Sequence, residues 1–286
     1  KFGIQTTFVS QTDPSEWQAA MLPNTKLLFA ETPNNPLTEV CDIAALAEIA
    51  HAGGARLVVD NTFTPMILSP LRHGADVVVH SLTKFVNGTS DCVAGCVVSS
   101  REFIARLNDI NAGPSMLLGP VLDSTRAASI LKNLHSLHVR LRQHGANALY
   151  LASRLETLGY PVHYPGLASH PHHALLARLM NHGYGWGGML TLDAGNHAAA
   201  NRLMTLLQRD KVGYLAVSLG YFKTLFTTPG HSTSSEIPLD ERAAAGLSDG
   251  LIRFSIGLDE DIAQTMVRIE DCLAEANVMP AAGAGV

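Results

Sequence analysis

The chain has 286 residues, 47% hydrophobic and 16% charged, with a mean hydropathy of +0.14. That is enough apolar material for one large or two ordinary domains. Its net charge of −5, without any block of Lys and Arg, argues against nucleic acid or an anionic membrane as partner.

No apolar run approaches the ~20 residues of a membrane span. The opening KFGIQTTFVSQTDPSEW lacks the apolar core of a signal peptide. Four cysteines (Cys41, Cys92, Cys96, Cys272) are too few for a disulfide scaffold, and a cytoplasmic location is the expectation.

Taken in order, FGIQTTFV reads as a strand already under way at the first residue, and the chain lacks an initiating methionine. The short apolar run Lys26 to Ala30 follows, closed by the turn-forming ETPNNP. Residues 42–52 space Ile43, Leu46, Ala47 and Ala50 at helical intervals, and Gly53-Gly54 stops them. ARLVVD and DVVVHS are nearly continuous in apolar residues, as strands covered on both faces are. VAGCVV adds another strand. Strand, helix and strand at these spacings predict βαβ units and a mostly parallel sheet.

Beyond Pro120 the pattern changes. Val121 to Leu158 reads as one long or bent helix, with Arg140 and Arg142 on a solvated face. Strands are expected at YPVHYPG, GGMLTLDAG, VGYLAVS and LIRFSIG, and helices at 197–210 and 262–276. The division is a large domain over residues 1–137 and a smaller α+β domain over 138–286.

Chemistry concentrates at strand ends, where open α/β sheets bind ligands. Asp60 closes ARLVVD, Ser81, Thr83 and Lys84 follow DVVVHS, and Asn35 follows KLLFAETPN. An acid, a lysine and hydroxyls on one sheet edge suit pyridoxal 5'-phosphate. That cofactor takes a lysine on its aldehyde, a carboxylate at its pyridine nitrogen and hydroxyls at its phosphate. Each residue alone also has an ordinary reading, since a lysine can end a strand in solvent and an Asp before Asn can form a turn.

The bland alternatives run through the rest of the chain. His170, His172 and His173, with His163 and His182 nearby, read as surface or helix-start histidines, not metal ligands. Cys92 and Cys96 are four apart, the wrong spacing for a CxxC pair, and read as buried thiols. Tyr184, Trp186 and Tyr214 read as packing groups, while for Tyr221 packing and a place beside a ligand pocket are both open. GYGWGG lacks GxGxxG before a helix. HSTSSE at 231–236 is a polar loop.

ETPNNP, VVDNTF, HSLTK, AVSLGYFKTL and GLIRFSIG, in that order, resemble the Cys/Met-metabolism family of pyridoxal-phosphate enzymes from residue 1 to about 275. MLLGP, YPGLASHP and SLGYFKTL are most similar to its plant-type methionine γ-lyase branch. The resemblance implies an aminotransferase-like (fold type I) large domain and pyridoxal 5'-phosphate as cofactor. It implies that Lys84 is the Schiff-base lysine, Asp60 the partner of the pyridine nitrogen, Ser81 and Thr83 phosphate ligands, and Asn35 a contact of the ring's phenolic oxygen. Arg253 would clamp the substrate carboxylate, with Ser218 beside it and Asn35 at the edge of the substrate.

The activity implied is α,γ-elimination from L-methionine to a thiol, 2-oxobutanoate and ammonia. The alternatives are γ-replacement, cystathionine cleavage, or a fragment without turnover. The partners implied are a sulfur amino acid and further copies of the chain, as a dimer of dimers. The family chain begins well before Lys1, so the expectation is an N-terminally truncated product, lacking a phosphate-binding turn, a ring-stacking tyrosine and a Tyr-x-Arg pair. Leu82 in SLTK and Asn34 in ETPNNP are mild departures.

Overall fold

The structure is a computed structural model that describes residues 2–231 and 246–281; HSTSSE beyond His231 lies outside the described residues. Its elements run α1 (Pro14–Ala20), β1 (Leu27–Glu31), α2 (Ile43–Ala52), β2 (Arg56–Asp60), β3 (Val77–Ser81), β4 (Gly95–Ser99), α3 (Arg101–Leu107), α4 (Pro114–Leu118), α5 (Ser124–Leu134) and α6 (Leu137–Thr157). They continue as β5 (Val162–His163), α7 (His173–Leu179), β6 (Met189–Asp193), α8 (His197–Arg209), β7 (Tyr214–Leu215), β8 (Leu225–Thr227), β9 (Leu251–Ser255) and α9 (Ile262–Glu275).

The first sheet has the order β1-β2-β3-β4. β1, β2 and β3 are parallel and β4 returns antiparallel. A parallel neighbour needs a crossover, and α2 supplies one. Asp42 caps it by accepting the Ala45 N–H at 3.2 Å, and Gly53 ends it. The apolar stripe Ile43, Leu46, Ala47 and Ala50 packs on Leu28, Ala30, Leu57 and Val59. Each fully buried Leu, Ile or Val among them contributes about 1.5–3 kcal/mol. α7, from far along the chain, seats Leu176 and Leu179 in the same core.

The second sheet has the order β5-β6-β9-β8-β7 and is antiparallel except for β7 with β8. α6, α8 and α9 cover it through Leu151, Leu155, Leu203, Leu207, Ile269 and Leu273. A third apolar cluster joins the two sheets: Phe63, Ile67, Phe85, Leu137, Leu141, Met189 and Leu219. This seam positions the site.

Several sequence expectations are corrected. FGIQTTFV forms no strand; Phe2, Ile4 and Phe8 are exposed, and no described strand offers its backbone a ladder. Val121 to Leu158 is two helices, α5 and α6, broken at His135–Ser136. β5 and β7 shrink to two residues each because their pairing ends there. Of the two strands expected to be covered on both faces, β2 is continuously buried from Leu57 to Val59, whereas in β3 full burial stops after Val77 and Val78. Cys92 and Cys96 are only partly buried, and Tyr214 is exposed.

Candidate active site

β3 delivers Ser81 to the carboxyl end of the parallel strands, and a single π-type turn, Leu82–Val86, carries Lys84. Lys84 departs from helical geometry (φ −90°, ψ −129°), while Asn87 N–H to Leu82 O (3.0 Å) and Gly88 N–H to Lys84 O (2.8 Å) close the turn. Its Nζ donates to Ser218 Oγ at 3.1 Å. Burial first, and the charge of Arg253 second, hold the Lys84 amine below the ordinary lysine range. Such an amine carries more of its neutral, proton-accepting form at neutral pH than a free lysine does.

Arg253 lies in the middle of β9 and is 2% exposed. Nη1 donates to Asn35 Oδ1 at 3.1 Å, and Nη2 to the carbonyls of Val217 (2.9 Å) and Ser218 (3.2 Å). Nε is buried without a partner, and among the described residues no carboxylate forms a salt bridge with this guanidinium. Burial lowers its pKa to about 10. A buried cation with an unpaired donor is suited to an incoming anion.

From Asn35 the connections continue. Its backbone N–H donates to Glu31 Oε2 at 3.2 Å, and Glu31 is in register with Asp60 on the neighbouring parallel strand. Burial raises the Glu31 pKa against the pull of the Asn35 N–H, and the Asp60 charge raises it further. Asp60 accepts the Thr62 N–H at 2.9 Å, and Thr62 Oγ1 in turn accepts the Ser81 N–H at 2.8 Å. Bonds and strand register thus tie the end of β2 to the start of the Lys84 turn.

Asp60 and Ser81 line an open cleft of about 620 Å³, with His80, Cys96, Asn108 and Ser115 along it. Burial lowers the His80 pKa, with Asp60 and a backbone hydrogen bond to Asn61 pulling the other way; its Nδ1 has no partner. Burial likewise raises the Cys96 thiol. Thr83 is turned toward β4. Its Oγ1 accepts the Ala94 N–H (3.0 Å) and donates to Ala94 O (3.3 Å), leaving one lone pair.

The structure therefore brings Lys84, Ser218, Arg253 and Asn35 into one bonded cluster and places Asp60 and Ser81 on the adjoining cleft, with Thr83 on the β4 side. These residues fit pyridoxal 5'-phosphate on three observations. The lysine amine is shifted toward its neutral form, a carboxylate stands at a parallel strand end, and the half-buried His80 ring borders the same cleft with its Nδ1 unpaired.

Sequence reasoning missed Glu31, His80, Thr62 and Arg140. The first three sit inside the motifs ETPNNP, HSLTK and VVDNTF, so their position was legible and their role was not. Arg140 was assigned to solvent. It is instead half-buried, donating to Phe85 O (2.5 Å) and Val86 O (2.8 Å). Arg142 does stay outside, donating to Gly183 O at 2.8 Å and lying over the Tyr184 ring. His170 is buried, and His172 and His173 begin α7, their Nδ1 atoms bonded to Val40 N–H (3.2 Å) and Pro165 O (2.9 Å).

Residues 1–273 match the Cys/Met metabolism PLP-dependent enzyme family. The chain belongs to that family. It is 41% identical over 269 residues to a methionine γ-lyase of Arabidopsis thaliana, covering 93% of this chain and 61% of the relative. It is 39% identical to an O-succinylhomoserine sulfhydrylase of Pseudomonas aeruginosa, covering 94% of this chain and 66% of that one. A cystathionine γ-lyase of Bacillus subtilis is 37% identical, with 94% and 71% covered. The chain thus spans roughly three fifths to seven tenths of the length of these relatives. The family's dependence on pyridoxal 5'-phosphate agrees with the cofactor expected from the motifs. No helix of the described residues is long and apolar enough to cross a membrane.

Proposed function

We propose that this protein is a carbon–sulfur lyase acting on a sulfur amino acid, with α,γ-elimination of L-methionine to a thiol, 2-oxobutanoate and ammonia as its reaction. The observation that supports it most is the chain Lys84–Ser218–Arg253–Asn35. It sets a proton-accepting amine beside a buried cation that can bind an amino-acid carboxylate. Lys84 would hold pyridoxal 5'-phosphate, Asp60 would face its pyridine nitrogen, Ser81 and Thr83 its phosphate, and Asn35 its phenolic oxygen. Bound there, the cofactor supplies an electron sink for a carbanion.

The protein's own groups then do the rest. Arg253 fixes the substrate carboxylate with its fork of donors, and Ser218 Oγ accepts from Lys84 Nζ and orients it. The Lys84 amine takes up and returns protons along the substrate chain. γ-Replacement is the second reading, supported by the O-succinylhomoserine sulfhydrylase among the relatives; the same residues serve it.

The architecture we infer is a fold type I cofactor domain over residues 1–137 followed by a small α+β domain over 138–286, in a cytoplasmic homo-oligomer. Separate sheets at Leu27–Ser99 and Val162–Ser255 support the division.

The test is the visible spectrum of the purified chain with pyridoxal 5'-phosphate, then borohydride reduction and peptide mapping. A reduced adduct on Lys84, lost in Lys84→Ala, is expected, with thiol and 2-oxo acid release from L-methionine. A folded chain that forms no adduct would sink the reading for this chain.

A further inference from the structure

We infer that Arg140 is a positioning residue for the Lys84 amine, acting as a cross-domain clamp on the turn that carries it. The proposal rests on the reading of Lys84 as the cofactor-bearing lysine.

The guanidinium reaches from α6 into the turn after β3. Nη1 donates to Phe85 O at 2.5 Å, Nη2 to Val86 O at 2.8 Å and Asn133 O at 3.1 Å, and Nε to Ser136 Oγ at 3.1 Å. All three nitrogens are engaged by carbonyls or a hydroxyl, and no carboxylate among the described residues forms a salt bridge with them. Burial depresses its pKa without an anion to compensate. A lone charge held this way is there for its geometry, since only a planar fork can bridge successive carbonyls while also gripping the α5 end.

The carbonyls it grips directly follow Lys84, whose own dihedrals leave the helical range. The approach also depends on Gly88, at φ +76°, where a Cβ would come within 2.5 Å of Arg140 Nη1. Two further supports hold the turn. His144, one helical turn along from Arg140, meets the Phe85 ring edge-on at 5.3 Å, and Gly220 abuts the Phe85 N–H. Arg140 is the support that bonds the backbone of the turn by its side chain.

The test is competitive acetylation of the full chain at graded pH without cofactor, read by peptide mass, with Lys26 and Lys132 as references. The charged and titratable groups around the turn include Arg253 on β9, Arg140 and His144 on α6, and Asp91, which accepts from Asn87 Nδ2 at the end of the turn. Arg140→Lys keeps the charge and removes the fork. Its Lys84 midpoint is expected to rise from the wild-type value toward the ordinary lysine range. Borohydride-trapped adduct with pyridoxal 5'-phosphate at fixed time is expected to fall about tenfold, within the ~10²-fold that a 1 Å misplacement carries.

Leu203→Ala, in the remote α8 core, controls for general loosening. If it shifts the Lys84 midpoint equally at matched melting loss, the positioning role is overturned. It is also overturned by an unmoved midpoint in folded Arg140→Lys. Should that variant fail to fold, Gly88→Ala is judged by the same criterion. A wild-type chain with a low Lys84 midpoint that traps no cofactor would count against the proposed function, not against the clamp.

Discussion

Replacing Arg253 by Met separates a structural arginine from one awaiting an anion. The guanidinium's pKa of about 10 against an ordinary 12.5 corresponds to a burial penalty of about 3 kcal/mol, at about 1.4 kcal/mol per tenfold change in proton affinity. Against this stand three hydrogen bonds, to Asn35 Oδ1, Val217 O and Ser218 O, each worth about 1 kcal/mol net. The two nearly cancel, so Arg253→Met should change the stability of the unliganded protein by less than about 2 kcal/mol.

Ligand binding should respond otherwise. A carboxylate that pairs with Arg253 can recover the burial penalty, and about 3 kcal/mol is roughly 10²-fold in affinity. Urea denaturation gives the first quantity. Calorimetric titration with L-norleucine, a sulfur-free relative of methionine, gives the second. A stability loss above about 5 kcal/mol would show that the arginine holds the seam together, and unchanged L-norleucine affinity in a stable variant would refute the anion site.

Two further predictions concern the seam itself. His144 donates to Ile256 O at 2.6 Å, and burial lowers its pKa to about 4 from 6.5. The unfolded chain therefore binds the proton first. Stability is intact above pH 6.5 and falls as the pH drops toward 4, by about 3 kcal/mol in all. Urea midpoints at pH 7 and pH 4.5 should converge in His144→Gln relative to wild type; equal slopes would exclude the imidazole as the cause. In Gly220→Ala, the new Cβ would lie 2.4 Å from Phe85 N at a φ of +73°. A loss of about 2–4 kcal/mol is expected from overlap and left-handed strain, with Lys84 adduct formation reduced because the Ser218 loop must shift. Wild-type melting and trapping yields would show the contact to be slack.

How much was legible in advance depends on the range of the interaction. The strands and helices that read correctly, such as β2, α2, α8 and α9, carry their signal locally: an apolar period, an Asp or Asn cap, a glycine stop. Residue types at strand ends, Asp60, Ser81 and Lys84 among them, were legible because chain order alone places them at one sheet edge. β5 and β7 are shorter than expected and FGIQTTFV forms no strand, because strand formation needs a partner edge that no local pattern specifies.

The sequence by itself determined that a lysine, an aspartate and hydroxyls stand at the ends of parallel strands, and its ordered motifs determined the family. Only the tertiary structure decided what surrounds them. Asn35 and Arg253 are 218 positions apart, and Arg140 and Phe85 are 55 apart; their meeting depends on how the two sheets pack across the seam. Arg140 looked solvated because a helix surface facing another sheet has the same local composition as one facing water. Which polar groups lose water, and so which charges are shifted, is fixed by that packing alone.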